Sequence, residues 1–146
     1  MSVEARFGLL HDRVFADGTE YEVRRGRHGF HLIVDPDGAA GRVHYDGWRD
    51  RLSIDSPHGS LEIRFRWRHT TFPWRGRVYR VGSTLGSRVR VFEGDRRVLE
   101  GKETWSGIRF DVISPEFRDI ARELAVGFGL RTQAFATAII LAAGAH

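Results

Sequence analysis

The longest apolar segment of the chain is AFATAIILAAGA, residues 134–145. It ends a helical pattern that begins with Ser114, Pro115 and Glu116, which suit the N-cap, the first helical position and the first turn of a helix. A helix that is apolar on every side is buried either in protein or in lipid. The rest of the chain decides which of these two environments we expect.

Residues 3–113 carry a different pattern, in which apolar and polar side chains alternate with the period of a β-strand. Turn residues such as Asp17-Gly18 separate the alternating runs. This spacing predicts a single mainly β domain, an antiparallel sandwich or barrel. With the C-terminal helix at its centre, as argued below, we expect an antiparallel closed β-barrel of about eleven to twelve strands. The predicted strands are residues 5–10, 13–16, 20–25, 29–35, 41–45, 51–55, 61–68, 77–82, 87–93, 97–102 and 107–113.

The remaining residues, 114–146, are predicted to be helical and to lie at the centre of the barrel. Residues 115–126 have an amphipathic pattern, and Gly127 and Gly129 predict a hinge after it. Residues 132–145 would be about 21 Å long as a helix, which matches the roughly 20 Å of a six-residue strand. We therefore predict that 132–145 form a buried plug, and that Ile140→Asp abolishes soluble expression.

Two alternatives exist for this hydrophobic helix, a membrane anchor and an oligomer interface. The eight strongly apolar residues between 124 and 145 favour insertion by about 2.4 to 4.8 kcal/mol, whereas Arg131 opposes it by about 2.5 to 3.5 kcal/mol. These contributions nearly cancel, which favours the barrel core over the membrane. Arg131 is then expected at the rim of the barrel or paired with a carboxylate, because a buried unpaired charge is costly.

The order of these elements, about a dozen strands, then Ser114-Pro115-Glu116, then the apolar helix, resembles the tubby C-terminal-like fold. That fold is shared by tubby proteins, phospholipid scramblases and the LURP-one-related family. The resemblance implies a twelve-stranded barrel around a central C-terminal helix. It also implies a lipid-linked role, since tubby proteins bind phosphoinositides. It assigns no ligand residue to this chain.

The positive charge is concentrated in the middle of the chain. The formal net charge is −2 for residues 1–57, +6 for residues 58–113 and 0 for residues 114–146. Rows of arginines on strand faces can bind phosphate groups through two hydrogen bonds, and an exposed tryptophan can enter a membrane interface. The residues predicted to bind an anion or lipid are Arg64, Arg66, Arg68, Trp74, Arg75, Arg77, Arg88 and Arg90.

The sequence contains no pattern typical of a catalytic site, a metal site or a cofactor site. The chain has no cysteine, which excludes disulfides, thiol nucleophiles and thiolate metal sites. His28 and His31 are three residues apart, so in a strand they would face opposite sides and not share a metal ion. No serine has a base placed beside it by spacing, and no glycine-rich phosphate loop precedes a helix. We therefore predict no catalytic residue, no metal and no cofactor.

The sequence thus predicts a non-enzymatic binding module whose basic strand face contacts anionic phospholipid headgroups or a phosphorylated ligand. One alternative is a structural or protein-interaction domain, and another is a lipocalin-like barrel that binds a small apolar ligand in an open lumen. Nucleic acid is the weaker of the phosphate-bearing partners, because the aromatic patterns of RNA-binding sheets are missing. The N-terminal residues lack the pattern of a signal peptide, which predicts a cytoplasmic protein, peripheral to the membrane if it binds lipid.

Overall fold

The computed structural model describes residues 1–36, 38, 40–82 and 87–144. Over these ranges it contains twelve antiparallel strands in one sheet, in the order β7-β6-β5-β4-β3-β2-β1-β12-β11-β10-β9-β8. The strands are β1 (Val3–Phe7), β2 (Asp12–Ala16), β3 (Thr19–Arg25), β4 (Phe30–Val34), β5 (Ala40–Asp46), β6 (Arg51–Ser56), β7 (Gly59–Arg64), β8 (Thr70–Trp74), β9 (Arg77–Val81), β10 (Arg88–Glu93), β11 (Arg96–Glu103) and β12 (Gly107–Ile113). The predicted mainly β barrel with a C-terminal helix is confirmed.

The sheet curls until its first and last strands, β7 and β8, lie side by side. No hydrogen-bonded ladder joins these two strands in the described part of the chain, so the barrel is nearly closed and has one seam. Alternate side chains of each strand point into the barrel, as the period of two predicts. In β7, for example, Leu61 and Ile63 are buried, whereas Glu62 and Arg64 are exposed.

The sequence pattern missed one strand, β8, whose residues are TTFPW. Pro73 weakens the strand signal, because proline cannot donate to a ladder. In the structure Pro73 is exposed and points outward, while Phe72 and Trp74 on either side of it point into the core. The predicted strand 61–68 is also too long, since β7 ends at Arg64.

A single C-terminal helical segment fills the lumen. It starts as a 3₁₀ turn over Pro115–Ile120 and continues as α1 over Ala121–Gly144. Phe117, Ile120 and Leu124–Phe128 are at most 1% exposed, because the barrel wall surrounds them on all sides. The lumen is therefore occupied, and the open cavity that a lipocalin-like binder requires is not present among the described residues.

The predicted position of the plug, residues 132–145, is wrong. The buried side chains of the helical segment lie between residues 117 and 129, whereas the side chains of residues 135–144 are exposed. The reason is geometric. β12 ends at Ile113, so the chain turns at Ser114 and enters the barrel at once, and a barrel of this height accommodates only the first half of the helix. The last, most apolar half extends beyond the barrel.

Gly127 and Gly129 are not a hinge either, because α1 runs through both. A Cβ atom on Gly127 would lie 2.5 Å from Leu52 Cδ1, and one on Gly129 would lie 2.5 Å from Phe7 Cε2. These glycines therefore allow the helix to pass close to the wall of a narrow lumen.

By length and composition, the helical segment Pro115–Gly144 is apolar enough to cross a membrane, with a mean hydropathy of 1.5 over its most apolar window. A third of that window, 33%, is buried inside the barrel.

Candidate functional site

The topology sorts the loops onto the two ends of the barrel. Because consecutive strands are antiparallel, successive connections lie at alternate ends. Gly129 contacts Phe7 at the end of β1 and Ile108 near the start of β12, and Leu130 and Ala134 lie beside Tyr45. The helix therefore leaves the barrel where β1 ends and β12 begins, which we name the exit end. Its described connections are residues 8–11, 26–29, 47–50, 65–69 and 104–106.

The exit end carries most of the exposed large hydrophobic side chains. Leu9, Leu10, Trp48, Trp67 and Trp105 are each at least 86% exposed and lie in its connections. The emerging helix adds a second set, which is Phe135, Ile139, Ile140 and Leu141, the last three of them 69% exposed. The other large exposed hydrophobics among the described residues are Phe30, which starts β4 beside the 26–29 connection, and Met1 and Val78, which lie elsewhere. A concentration of this kind marks an interaction surface.

The same end is basic. Its five described connections contain Arg27, Arg49, Arg66 and Arg68 against one acidic residue, Asp50. In the described part of the chain, the guanidinium groups of Arg27, Arg66 and Arg68 have no carboxylate within 4.0 Å. The exit end therefore combines apolar protrusions with uncompensated positive charge.

Arg131 fixes the helix where it leaves the barrel. Its Nε lies 2.8 Å from Asp50 Oδ1 and its second nitrogen 3.0 Å from Oδ2, a two-point ion pair. The guanidinium also stacks on Phe65, at 4.0 Å from the ring centroid, and on Phe135, at 4.6 Å. The expectation that Arg131 lies at the rim and pairs with a carboxylate is thus confirmed.

Tyr45 completes this cluster by donating a hydrogen bond from its hydroxyl to Asp50 Oδ1. Burial, and then the hydrogen bond to Asp50, raises the pKa of Tyr45 above its ordinary value. Asp50 therefore holds the helix through Arg131 and the wall through Tyr45.

A pocket of about 620 Å³ opens beside Arg131 at the seam of the barrel. We name it the seam pocket. It lies where β7 ends at Arg64 and β8 starts at Thr70, beside the loop that joins them. Its lining residues are Asp50, Phe65, Arg66, Trp67, Arg68, Thr70, Arg80, Val81, Gly82, Arg131 and Phe135.

Most of the predicted anion-binding arginines already have acidic partners. The shortest distances between partners are Arg64–Glu62 2.6 Å, Arg75–Asp119 2.8 Å, Arg77–Glu93 3.3 Å, Arg88–Glu100 3.4 Å and Arg90–Glu100 3.1 Å. The arginines hold the pKa of Glu62, Glu100 and Asp119 below the ordinary values, chiefly through side-chain hydrogen bonds. Of the predicted set, only Arg66 and Arg68 lie together on the exit end without a partner among the described residues.

Trp74 is not an exposed anchor, so that prediction is wrong. It is 4% exposed and donates a hydrogen bond from Nε1 to the carbonyl of Glu116, 2.8 Å away, at the end opposite the exit end. In the predicted strand 61–68, Trp67 shares the face of Leu61 and Ile63 and is expected in the core, but it is 94% exposed. The alternation fails there because β7 ends at Arg64, after which the backbone no longer follows the sheet.

Sequence reasoning missed Leu9, Leu10, Trp48 and Trp105. Trp48 and Trp105 lie in connections between predicted strands, and Leu9 and Leu10 lie in the predicted strand 5–10, which is wrong at this end because β1 ends at Phe7. The strand order of the structure places their connections, the first, fifth and eleventh, at one end. The prediction missed β8, so its strand count would place the loop of Trp105 at the opposite end.

Two acids are buried, Asp12 at the start of β2 beside the exit end and Glu123 inside the barrel. Asp12 receives two hydrogen bonds from Arg25, of 3.0 and 3.1 Å, and its Oδ2 lies 3.8 Å from His31 Nε2. Burial lowers the pKa of His31. Glu123, on the helix inside the barrel, is 1% exposed, and burial raises its pKa. These groups explain local packing and do not form a nucleophile with a base.

In the described residues no three histidine or acidic side chains come together as a metal site. The barrel around a helix is consistent with a binding module. No family model matches the chain, and comparisons with curated proteins and with solved structures gave no match.

Proposed function

We propose that this protein is a non-enzymatic, peripheral membrane-binding module that docks its exit end on an anionic bilayer. One observation carries the proposal. The tryptophans of three separate loops and the exposed apolar half of the helix share the end of the barrel that also holds the unpaired arginines.

The helix supplies the apolar part of this contact. Residues 134–144 extend about 16 Å at roughly 1.5 Å per residue, close to half of a hydrocarbon core about 30 Å thick. The segment is therefore suited to entering one leaflet. Complete burial of one large aliphatic side chain is worth about 1.5 to 3 kcal/mol, so Ile139, Ile140 and Leu141 together supply several kcal/mol.

The tryptophans are suited to the membrane–water interface. Trp48, Trp67 and Trp105 surround the emerging helix on separate loops. Tryptophan is enriched at membrane–water interfaces, because its ring is apolar while its N–H remains a hydrogen-bond donor. These rings would lie at headgroup depth while the helix reaches deeper.

The arginines select the membrane. Each basic residue near an anionic surface contributes about 1 kcal/mol of attraction. Arg27, Arg66 and Arg68 lie in loops at the end of the barrel where the helix emerges, so charge and apolar surface act together. Anionic lipids are concentrated on the cytoplasmic leaflet, where we place the protein. The resemblance to the tubby C-terminal-like fold stays a prediction that agrees with this proposal.

Co-sedimentation with vesicles tests the function. Wild type, Ile140→Asp and the control Val78→Asp are each mixed with phosphatidylcholine vesicles, with and without phosphatidylglycerol. Val78 is 65% exposed on the barrel wall away from the exit end, so it matches Ile140 in exposure. We expect wild type and Val78→Asp to pellet with the anionic vesicles, and Ile140→Asp to stay largely in the supernatant.

Equal pelleting of all three proteins, or of wild type with both kinds of vesicle, would contradict the proposal. Size-exclusion chromatography separates it from a protein-interaction role. A wild-type dimer that Ile140→Asp converts to a monomer, with no vesicle binding, would show that a second copy covers the exit end instead.

A further inference from the structure

We propose that the seam pocket binds the phosphomonoester headgroup of a single lipid molecule. This inference rests on the proposed function, because it assumes that the exit end meets a membrane. It adds a specific ligand class to what is otherwise a general attraction to anionic surfaces.

The first argument is the charge of the pocket. Arg66, Arg68, Arg80 and Arg131 line it together with one carboxylate, Asp50. Asp50 is fully engaged by Arg131 through both oxygens. Three guanidinium groups thus remain without a carboxylate within 4.0 Å among the described residues. A phosphodiester or carboxylate brings one negative charge, whereas a phosphomonoester brings about 1.5 to 2 near pH 7 and three acceptor oxygens.

The second argument is how the arginines are held. Arg80 lies over the Phe92 ring, 4.8 Å from its centroid, which orients the side chain without neutralising it. The backbone N–H of Arg66 donates to Thr70 Oγ1 at 2.9 Å, and this hydroxyl donates back to the Arg66 carbonyl at 3.3 Å. The loop that carries Arg66 is therefore tied to the start of β8, at the mouth of the seam.

The third argument is the apolar side of the pocket. Phe65, Trp67 and Phe135 also line it, and Arg131 stacks on the rings of Phe65 and Phe135. Phe135 also lines a neighbouring groove that continues along the helix to Ile139. A ligand with a phosphate at one end and an acyl chain at the other would place its phosphate among the guanidinium groups and its chain along the helix. A soluble phosphomonoester would use only the first half of this site.

The test compares vesicles of phosphatidylcholine that contain either phosphatidic acid or phosphatidylglycerol, matched in total surface charge. The phosphatidic acid headgroup is a phosphomonoester, and that of phosphatidylglycerol is a phosphodiester. We expect wild type to bind the phosphatidic acid vesicles roughly tenfold more tightly, equivalent to about 1.4 kcal/mol. Arg66→Gln/Arg68→Gln should lose this preference and still bind both vesicles.

The control variant is Arg75→Gln/Arg77→Gln, which removes the same charge from residues paired with Asp119 and Glu93 away from the exit end. It should keep the preference. The proposed lipid site in the seam pocket would be contradicted by equal affinity of wild type for the two vesicles, or by a preference that Arg66→Gln/Arg68→Gln retains. Neither result would contradict membrane docking. Absence of binding to any anionic vesicle would overturn both proposals.

A third arm separates a lipid from a soluble phosphate. Glycerol 3-phosphate is titrated into wild type without vesicles, and titration calorimetry measures its affinity. Weak binding, far below the affinity for phosphatidic acid vesicles, supports a lipid ligand. Binding as tight as to the vesicles would contradict it.

Discussion

Gly127 shows at the scale of one residue how the lumen constrains the helix. Sequence reasoning interpreted Gly127 and Gly129 as helix-weakening residues, which is their intrinsic property. The close approach to Leu52 shows that Gly127 has a stabilising role instead, because only a residue without a side chain lets the helix fit at this point of the lumen. No pattern within the helix itself reveals this, since the partner is on β6, far away in the chain.

Gly127→Ala is therefore expected to destabilise the protein despite the better helix propensity of alanine. The new Cβ would lie 2.5 Å from Leu52 Cδ1, and Leu52 is 0% exposed and cannot move outward. Overpacking costs about 1 to 3 kcal/mol, which exceeds the roughly 1 kcal/mol gained from propensity. Urea unfolding measures the change. Gly144→Ala, with nothing within 4 Å of the added atom, is the control and should not destabilise. Equal stability of Gly127→Ala and wild type would contradict the close packing.

Glu123 predicts a pH dependence of stability. Its Oε2 has no hydrogen-bond partner among the described residues, and burial raises its pKa in the folded state. The folded protein therefore binds this proton more tightly than the unfolded chain. The stability that protonated Glu123 contributes is fully present when the pH is below its pKa in the unfolded chain, about 4.3. It is lost as the pH rises through the raised pKa of Glu123 in the folded protein.

Glu123→Gln removes this loss, so we expect the variant to be more stable than wild type near neutral pH. The difference should shrink at acidic pH, where Glu123 is protonated and resembles glutamine. Urea midpoints at several pH values measure it. A variant less stable than wild type at neutral pH would show that the attraction of Arg122, 3.6 Å away, outweighs the cost of burial.

At the scale of the element, the sequence predicted that the C-terminal helix is central, and it assigned the wrong half to the lumen. Residues 134–145 are the most hydrophobic part of the helix, but the position where β12 ends decides which residues enter the lumen. The half inside the barrel tolerates Arg122 because it makes an ion pair with Asp35. The amphipathic pattern of residues 115–126 reflects one face that is buried in the lumen, with Phe117, Ile120 and Leu124, and an opposite face on which Arg118 and Asp119 are exposed.

The corrected burial reverses the expectation for Ile140→Asp. Because Ile140 is 69% exposed, the variant should fold with unchanged circular dichroism and nearly unchanged thermal stability. Phe128→Asp should fail to fold or lose several kcal/mol, since Phe128 is 1% exposed and packs against Phe65 and Phe110. Loss of folding in Ile140→Asp would mean that the end of the helix is covered within the folded monomer.

At the scale of the whole molecule, the alternation of the strands was enough to predict the barrel. It was not enough to predict the binding surface, which depends on which loops share an end and which arginines find acidic partners. Arg64 and Arg66 look equivalent in the sequence, yet Arg64 pairs with Glu62 on the strand while Arg66 lies beyond its end. Trp67 and Trp74 likewise differ only through where β7 stops and β8 begins.

The four tryptophans allow a direct test of the docking orientation. Variants that each retain one tryptophan, with the others replaced by phenylalanine, are bound to anionic vesicles that contain brominated lipids, which quench nearby indole fluorescence. Trp48, Trp67 and Trp105 should be quenched, because they surround the helix at the exit end. Trp74, buried at the opposite end, should keep its fluorescence. Quenching of Trp74 as strong as that of the other three, or no quenching of any of them in vesicle-bound protein, would contradict docking through the exit end.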